Sequence, residues 1–174
     1  MNNEVLKNLS YGVYVVTTLC GEKPVGCIAN SLIQVTYNTI AVSMHHDNYT
    51  NKCMEDSKKF AVSILGVDVD NKVIGTFGYR SARDIDKFLD IKTRVVDGLN
   101  IIEDSIGYLV CEVTDKMETE THTIFLGKII DGEMLDNEEK PMTYAFYHEN
   151  RKGLSPKMHR RILKEKNNIL SISV

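Results

Sequence analysis

Several signatures that would settle a function at once are missing from this chain. Its four cysteines, Cys20, Cys27, Cys53 and Cys111, form no Cys-x-x-Cys pair, so a zinc or iron site with the usual ligand spacing has no support. Reduced, mostly buried thiols are expected, because free cysteine packs as a small hydrophobe. No run of about 18 apolar residues is present, which gives no membrane-spanning helix, and Met1 to Ser10 carries no basic region leading into an apolar one. There is no excess of positive charge. With 21 Lys and Arg against 24 Asp and Glu, the net charge is -3 and offers no general attraction to nucleic acid or to an anionic membrane. A Gly-x-Gly-x-x-Gly or Walker loop is absent, as is Gly-x-Ser-x-Gly, so nucleotide binding of the Rossmann or P-loop kind and serine-hydrolase chemistry both lack their residues. Internal repeats and low-complexity segments are absent too.

What remains is ordinary globular composition, 43% hydrophobic and 26% charged, in 174 residues, enough for one domain with a full core. A cytoplasmic protein working on small molecules is expected. Val13 and Val15 alternate with Tyr14 and Val16, and Ile40, Val42 and Met44 fall at every second residue, the period of a strand with one buried face. Ala61 to Leu65, Leu109 to Thr114 and Ile124 to Ile130 follow the same pattern. Short helices are expected over Asn48 to Lys58, with Thr50 able to cap, over about Asp68 to Thr76, and as one turn from Ser81 through Phe88. Strands so dominate this order that a mainly β, closed or partly closed antiparallel barrel fits better than a doubly wound sheet. The composition shifts after Gly153 to a basic tail containing Lys157, Arg160, Arg161, Lys164 and Lys166. Residues 1–150 are therefore read as the domain and 151–174 as an extension.

Gly26-Cys-Ile-Ala-Asn30-Ser-Leu-Ile-Gln34-Val-Thr36 sets small and hydrogen-bonding residues into what reads as one strand. Gly26 and Ala29 would leave room for a flat ligand, while Asn30, Ser31, Gln34 and Thr36 offer donors and acceptors; taken alone, polar residues on the solvent face of an antiparallel strand explain them more readily. Ser43 to Thr50 then runs from a strand end into a helix start, where backbone N–H groups suit a phosphate and Asn48 and Thr50 can add hydrogen bonds or simply cap. His45 and His46 are neighbours in a strand and should face opposite ways, which excludes a shared metal ion, and no metal site is expected.

In order along almost the whole chain, these segments resemble the flavin reductase-like family of FMN-binding split barrels, in its flavoredoxin and high-molecular-weight rubredoxin branch. The resemblance rests on Leu9-Ser-Tyr-Gly-Val-Tyr-Val-Val-Thr17, on Gly26 to Thr36 and on Asp47-Asn-Tyr-Thr50. It continues through Ile74-Gly-Thr-Phe-Gly-Tyr-Arg-Ser-Ala-Arg-Asp-Ile-Asp-Lys-Phe88, Thr121-His-Thr-Ile-Phe-Leu-Gly127, Pro141-Met-Thr-Tyr-Ala-Phe-Tyr147 and Lys152-Gly-Leu-Ser-Pro-Lys157. It implies a Greek-key split barrel that forms a homodimer and holds FMN near the subunit interface. Electrons would come from NAD(P)H and pass to a flavin or redox-protein acceptor, or the chain would act as a non-enzymatic carrier between protein partners. By the same resemblance Cys27, Ile28, Ala29, Asn30 and Ser31 line the ring, with Gln34 and Thr36 farther along the strand. His46, Asn48, Tyr49 and Thr50 fall at the phosphate, Phe77, Gly78 and Arg80 complete the pocket, and His122 stands near the reactive face as a positioning or proton-handling group.

Three positions depart from the family pattern. His45-His46 replaces a common Asn-Lys pair, which predicts weaker FMN binding as pH rises from about 6 to 8 through the imidazole range. Glu120 replaces a Gly just before the histidine and adds a carboxylate where a nicotinamide would approach. The longer relatives continue into a rubredoxin domain where this chain has its basic tail, so a separate rubredoxin-like or other acidic redox protein is an expected partner.

Overall fold

Nine strands and three α-helices follow one another in the computed structural model, which describes residues 3–151. After a 3-10 turn at Asn3–Asn8 come β1 (Tyr14–Cys20), β2 (Lys23–Ala29), β3 (Leu32–Thr36), β4 (Thr39–His45), α1 (Tyr49–Ser57) and β5 (Lys59–Ile64). They are followed by α2 (Asn71–Tyr79), β6 (Thr93–Val96), β7 (Leu99–Ile102), β8 (Gly107–Glu118), β9 (His122–Met134) and α3 (Tyr144–Asn150). Seven strands form one antiparallel sheet in the order β2-β1-β5-β8-β9-β4-β3, and β6 pairs only with β7. The sheet curls until its ends approach. Val16 of β1 and Cys27 and Ala29 of β2 share a core with Ile40, Val42 and Met44 of β4, Phe60, Cys111 and Phe125.

The alternation expected of β1 is replaced by burial on both faces. Val16 turns into the barrel, while Val13 and Val15 pack outward against Val73, Ile74 and Phe77 of α2 and against Met142. Thr17 and Thr18, also buried, donate their hydroxyls to the carbonyls of Asn100 and Lys59, so no polar cost is left unmet. β1 is thus the wall between two cores.

Gly26 to Thr36 is not one strand. β2 ends at Ala29, the chain turns at Asn30-Ser31 with the Leu32 amide donating to the Asn30 carbonyl, and β3 leaves to pair with β4. Gln34 and Thr36 therefore belong to a different strand from Cys27 and Ala29. Gly26 also has another reason to be small: a Cβ there would meet the Val16 carbonyl oxygen at 2.9 Å, Thr17 Cγ2 at 3.0 Å and Phe77 Cε1 at 3.2 Å. The glycine admits α2 to the β1–β2 pair rather than a ligand to the strand. Replacing it with Ala should destabilise the fold by about 1–3 kcal/mol, the range for overpacking. A urea midpoint lowered at constant m measures this, and an unmoved midpoint would contradict it.

The helices differ from expectation in their starts. α1 is capped by Asn48, whose side chain accepts from the Thr50 amide at 3.1 Å, so Thr50 is a first-turn residue and not the cap. α2 begins at Asn71, three residues later than expected, because the amides of Val67 and Asp68 are already donated to Lys140 O and Glu139 Oε1. Asp70 then caps, accepting from the Lys72 amide at 2.8 Å. No helix forms at Ser81 to Phe88. Ser81 Oγ accepts from the Arg83 amide and not from that of Asp84, so the box is not made; Asp84 and Ile85 donate to the Ser81 carbonyl in a single turn, which stops when Asp86 accepts from the Phe88 amide and redirects the chain. Arg151 closes the described chain by donating to Val67 O, Val69 O and Asn71 Oδ1, and the rest of the expected extension lies outside the described residues. Among the described residues no helix is long and apolar enough to cross a membrane.

Candidate functional site

A cleft of about 460 Å³ opens where the ends of β2 and β4, the start of α1, the end of α2 and the turn after it converge, within the usual range for small-molecule sites. The end of β2 contributes Cys27, Ile28 and Ala29, followed by Asn30. From β4 and the turn into α1 come Ser43, Met44, His45 and Asp47 through Thr50. Phe77, Gly78 and Tyr79 close α2 against the cleft, and Arg80, Ser81, Ala82, Lys87 and His122 complete the lining.

Eleven positions singled out in the sequence thus come together: Cys27, Ile28, Ala29, Asn30, Asn48, Tyr49, Thr50, Phe77, Gly78, Arg80 and His122. Ser31, Gln34, Thr36 and His46 do not reach this lining. Gln34 and Thr36 are exposed on β3, and His46 turns away to pair with Glu118 at 3.1 Å. Of the two neighbouring histidines it is His45, the last residue of β4, that faces the cleft, while His46 lies in the turn beyond it. Glu120 is exposed and also stands outside the lining.

His45 and His122 are register partners on β4 and β9, and their rings meet edge to face at 4.8 Å. His45 Nδ1 accepts from the Asp47 amide at 3.0 Å, which leaves the proton of the neutral ring on Nε2. His122 Nδ1 lies 2.8 Å from Thr121 Oγ1, and its backbone is pinned to Thr119 by reciprocal hydrogen bonds. Asn51, buried in α1, donates to the Met44 carbonyl at 2.9 Å and so fixes the helix to the strand beneath it.

Lys87 is the principal residue that the sequence reading missed. It is 4% exposed, and its ammonium donates to Gly26 O at 2.8 Å and Phe77 O at 3.3 Å while lying 5.6 Å over the Phe77 ring. Burial pushes its pKa below the usual lysine value, and Cys27 is the one opposing influence. Burial in turn pushes the Cys27 thiol up, against the pull of the Lys87 charge and of hydrogen bonds to the Thr50 and Asn48 side chains. Lys87 and the start of α1 therefore address the same end of the cleft, with Cys27 between them. A lysine between Asp86 and Phe88 carries no sequence mark of burial, since its stretch is rich in charge.

Residues 6–155 match the family described as flavin reductase like domain. The chain belongs to that family. It is 35% identical over 161 residues to the high molecular weight rubredoxin of Moorella thermoacetica, covering 90% of this chain and 70% of that protein. It is 32% identical over 161 residues to the ferric-chelate reductase (NAD(P)H) of Archaeoglobus fulgidus, covering 90% of this chain and 95% of that one. Among solved structures, the NADH:FAD oxidoreductase of Streptomyces globisporus superposes with a TM-score of 0.74 at 25% identity, over 82% of this chain and 86% of that chain. The expected mainly β split barrel is the observed fold, and the flavin reductase-like chain is an oxidoreductase.

Proposed function

We propose that the cleft binds FMN and that the protein takes reducing equivalents from NAD(P)H and passes them to a flavin or to a separate redox protein. The observation that carries this reading is the Lys87 ammonium, buried in the lining with, among the described residues, only two carbonyls as hydrogen-bonding partners. A buried ammonium without a carboxylate is costly, and an anionic ligand in the cleft would offset that cost. The nine-residue helix α1 presents its N-terminus to the same end, adding amide donors and the favourable end of its dipole. FMN fits both demands: Lys87, Asn48, Tyr49 and Thr50 would hold its phosphate, and Cys27 to Asn30 with Phe77 and Gly78 would border its ring.

A bound flavin supplies the redox chemistry itself. The protein's share is to orient the ring, exclude water and manage protons. His122, held by Thr119 and Thr121, lines the cleft beside His45 and is the imidazole that would position a donor or carry a proton. His122→Asn should lower NADH oxidation about tenfold while flavin affinity stays within about threefold, a modest share of what a positioned proton-transfer group can contribute. Equal rates in the two proteins would remove His122 from the mechanism.

A redox-protein acceptor is supported by the high molecular weight rubredoxin relative, of which this chain covers 70%. NAD(P)H as donor is supported by the names of the ferric-chelate reductase and of the NADH:FAD oxidoreductase, the latter also known in complex with NAD and FAD fragments. We place the protein in the cytoplasm and read it as a homodimer.

The deciding measurement is the visible spectrum of the purified protein with FMN, followed by anaerobic addition of NADH and then NADPH. Bleaching by either nucleotide is the expected result. A flavin spectrum that persists would turn the reading towards a carrier between protein partners, and failure to take up FMN would overturn it.

A further inference from the structure

Two cysteines outside the chemistry described above meet the cleft residue Tyr49 behind the wall of the cleft. Cys20 ends β1 and is half-buried, followed by Gly21 at φ +62° in the hairpin turn. Tyr49 and Cys53 stand one turn apart on α1, on the same face, and both pack with Cys20 around Val25 and Ala82. The Tyr49 hydroxyl lies 3.1 Å from the Cys20 sulfur, and the fully buried Cys53 packs in the same cluster as both. Arg83 sets its guanidinium 5.1 Å over the Tyr49 ring.

We infer that Cys20 and Cys53 form a reversible thiol–disulfide site that is oxidised by hydrogen peroxide. The environment divides their roles. Hydrogen bonds from Cys53 and then Tyr49 hold the Cys20 thiol below its ordinary value, whereas burial pushes Cys53 up to about 12. The Tyr49 phenol, pushed up to about 12 chiefly by its bond to Cys20, keeps its proton and donates it to the sulfur. Cys20 is thus the more accessible and more readily ionised thiol, and Cys53 the resolving thiol.

The Cys20 thiolate attacks one peroxide oxygen, the O–O bond breaks, and hydroxide leaves to give the sulfenic acid. The Cys53 sulfur then attacks the sulfenic sulfur. The S–O bond breaks, and the departing oxygen leaves as water with the Cys53 proton. In sum, two thiols and one hydrogen peroxide give one disulfide and two waters, with two electrons passing from sulfur to oxygen; a dithiol reverses it. Oxidation also takes from Tyr49 its Cys20 thiol partner, and Tyr49 lines the cleft, so the site reports oxidant to the cleft edge. That coupling rests on the FMN reading, whereas the disulfide does not.

The test is peroxide treatment of the full chain, then proteolysis without reduction and mass spectrometry. A peptide linked through Cys20 and Cys53, with the other two of the four thiols still free and the link undone by dithiothreitol, is the expected result. In Cys53→Ala, Cys20 should stop at the sulfenic or sulfinic acid; in Cys20→Ser, the remaining thiols should stay reduced. Sulfinic acid on Cys20 of the wild-type chain without a linked peptide, or a Cys20 link between two chains, would overturn the proposal. Where the link forms, FMN affinity should fall at least threefold on oxidation, and equal affinities would overturn the coupling to the cleft. A reduced protein that binds no FMN would defeat the functional reading and leave the disulfide standing.

Discussion

Lys87→Met should weaken FMN binding about 100-fold, close to 2.7 kcal/mol, while changing the thermal midpoint of the ligand-free protein by only a few degrees. The two halves of this expectation come from one buried charge. In the ligand-free chain the ammonium has two carbonyl partners and an aromatic face, and it bears the desolvation cost of sitting 96% inside the protein, its exposure being 4%. Methionine fills similar space along Phe77 without a charge to desolvate, so loss of the two bonds is partly offset. With an anion in the cleft the balance reverses, because the charge then has an opposite partner in a water-poor site. Riboflavin, which lacks the phosphate, should lose far less affinity than FMN in this variant. A lysine that merely ties down residues 81–88 would behave otherwise: the midpoint would drop by many degrees and the two flavins would be affected alike.

The same residue fixes the sign of an alkaline pH effect. Burial lowers the folded-state pKa of Lys87 below its unfolded value, so between the two values the unfolded chain binds more protons. Stability therefore rises with pH through that window and carries the desolvation cost below it. A bound anion favours the ammonium and draws the pKa back up, so FMN affinity should fall as pH rises through the window. Lys87→Met should flatten that dependence.

Why one histidine was legible and the lysine was not comes down to what periodicity can report. Strand alternation separates faces, so adjacency read His45 and His46 as opposed, though not that the strand ends between them or which of them met the cleft. Period two likewise found β4, β5 and the cores of β8 and β9, where one row of apolar side chains recurs. It failed at Asn30-Ser31, because a turn without Gly or Pro left Gly26 to Thr36 looking continuous. The β6–β7 hairpin carried a local mark in Asp97-Gly98, both at positive φ, but its four-residue strands are too short for a pattern to stand out. Tyr144 to His148 is rich in aromatics that favour strands, yet Thr143 caps it into α3, and the Tyr147 hydroxyl reaches Tyr79 at 2.8 Å. Lys87 depends on a contact between segments about sixty residues apart, which no local pattern encodes.

A chain carrying both Ile33→Asp and Val35→Asp should sediment as a monomer, with a dimer dissociation constant raised at least about 1,000-fold, or 4 kcal/mol. β3 and β2 are the two edges of the sheet, but they are not alike. β2 has α2 packed beside it, whereas Ile33, Val35 and Tyr37 of β3 and its turn are 61%, 48% and 96% exposed. An uncovered apolar edge invites indiscriminate pairing, and in the proposed homodimer a second copy of the same edge would cover it with closed symmetry. Two carboxylates per chain, set against their own counterparts across a two-fold axis, oppose that contact through charge repulsion and lost apolar burial. Because both side chains are already exposed in the isolated chain, the monomer should remain folded, with a thermal midpoint near that of the wild-type protein at high dilution. FMN affinity measured in the same variant then tests whether Gln34 and Thr36, which share this edge strand, reach a flavin across the interface. Affinity should fall with dissociation if they do, and a wild-type chain that is monomeric at every concentration would remove the dimer altogether.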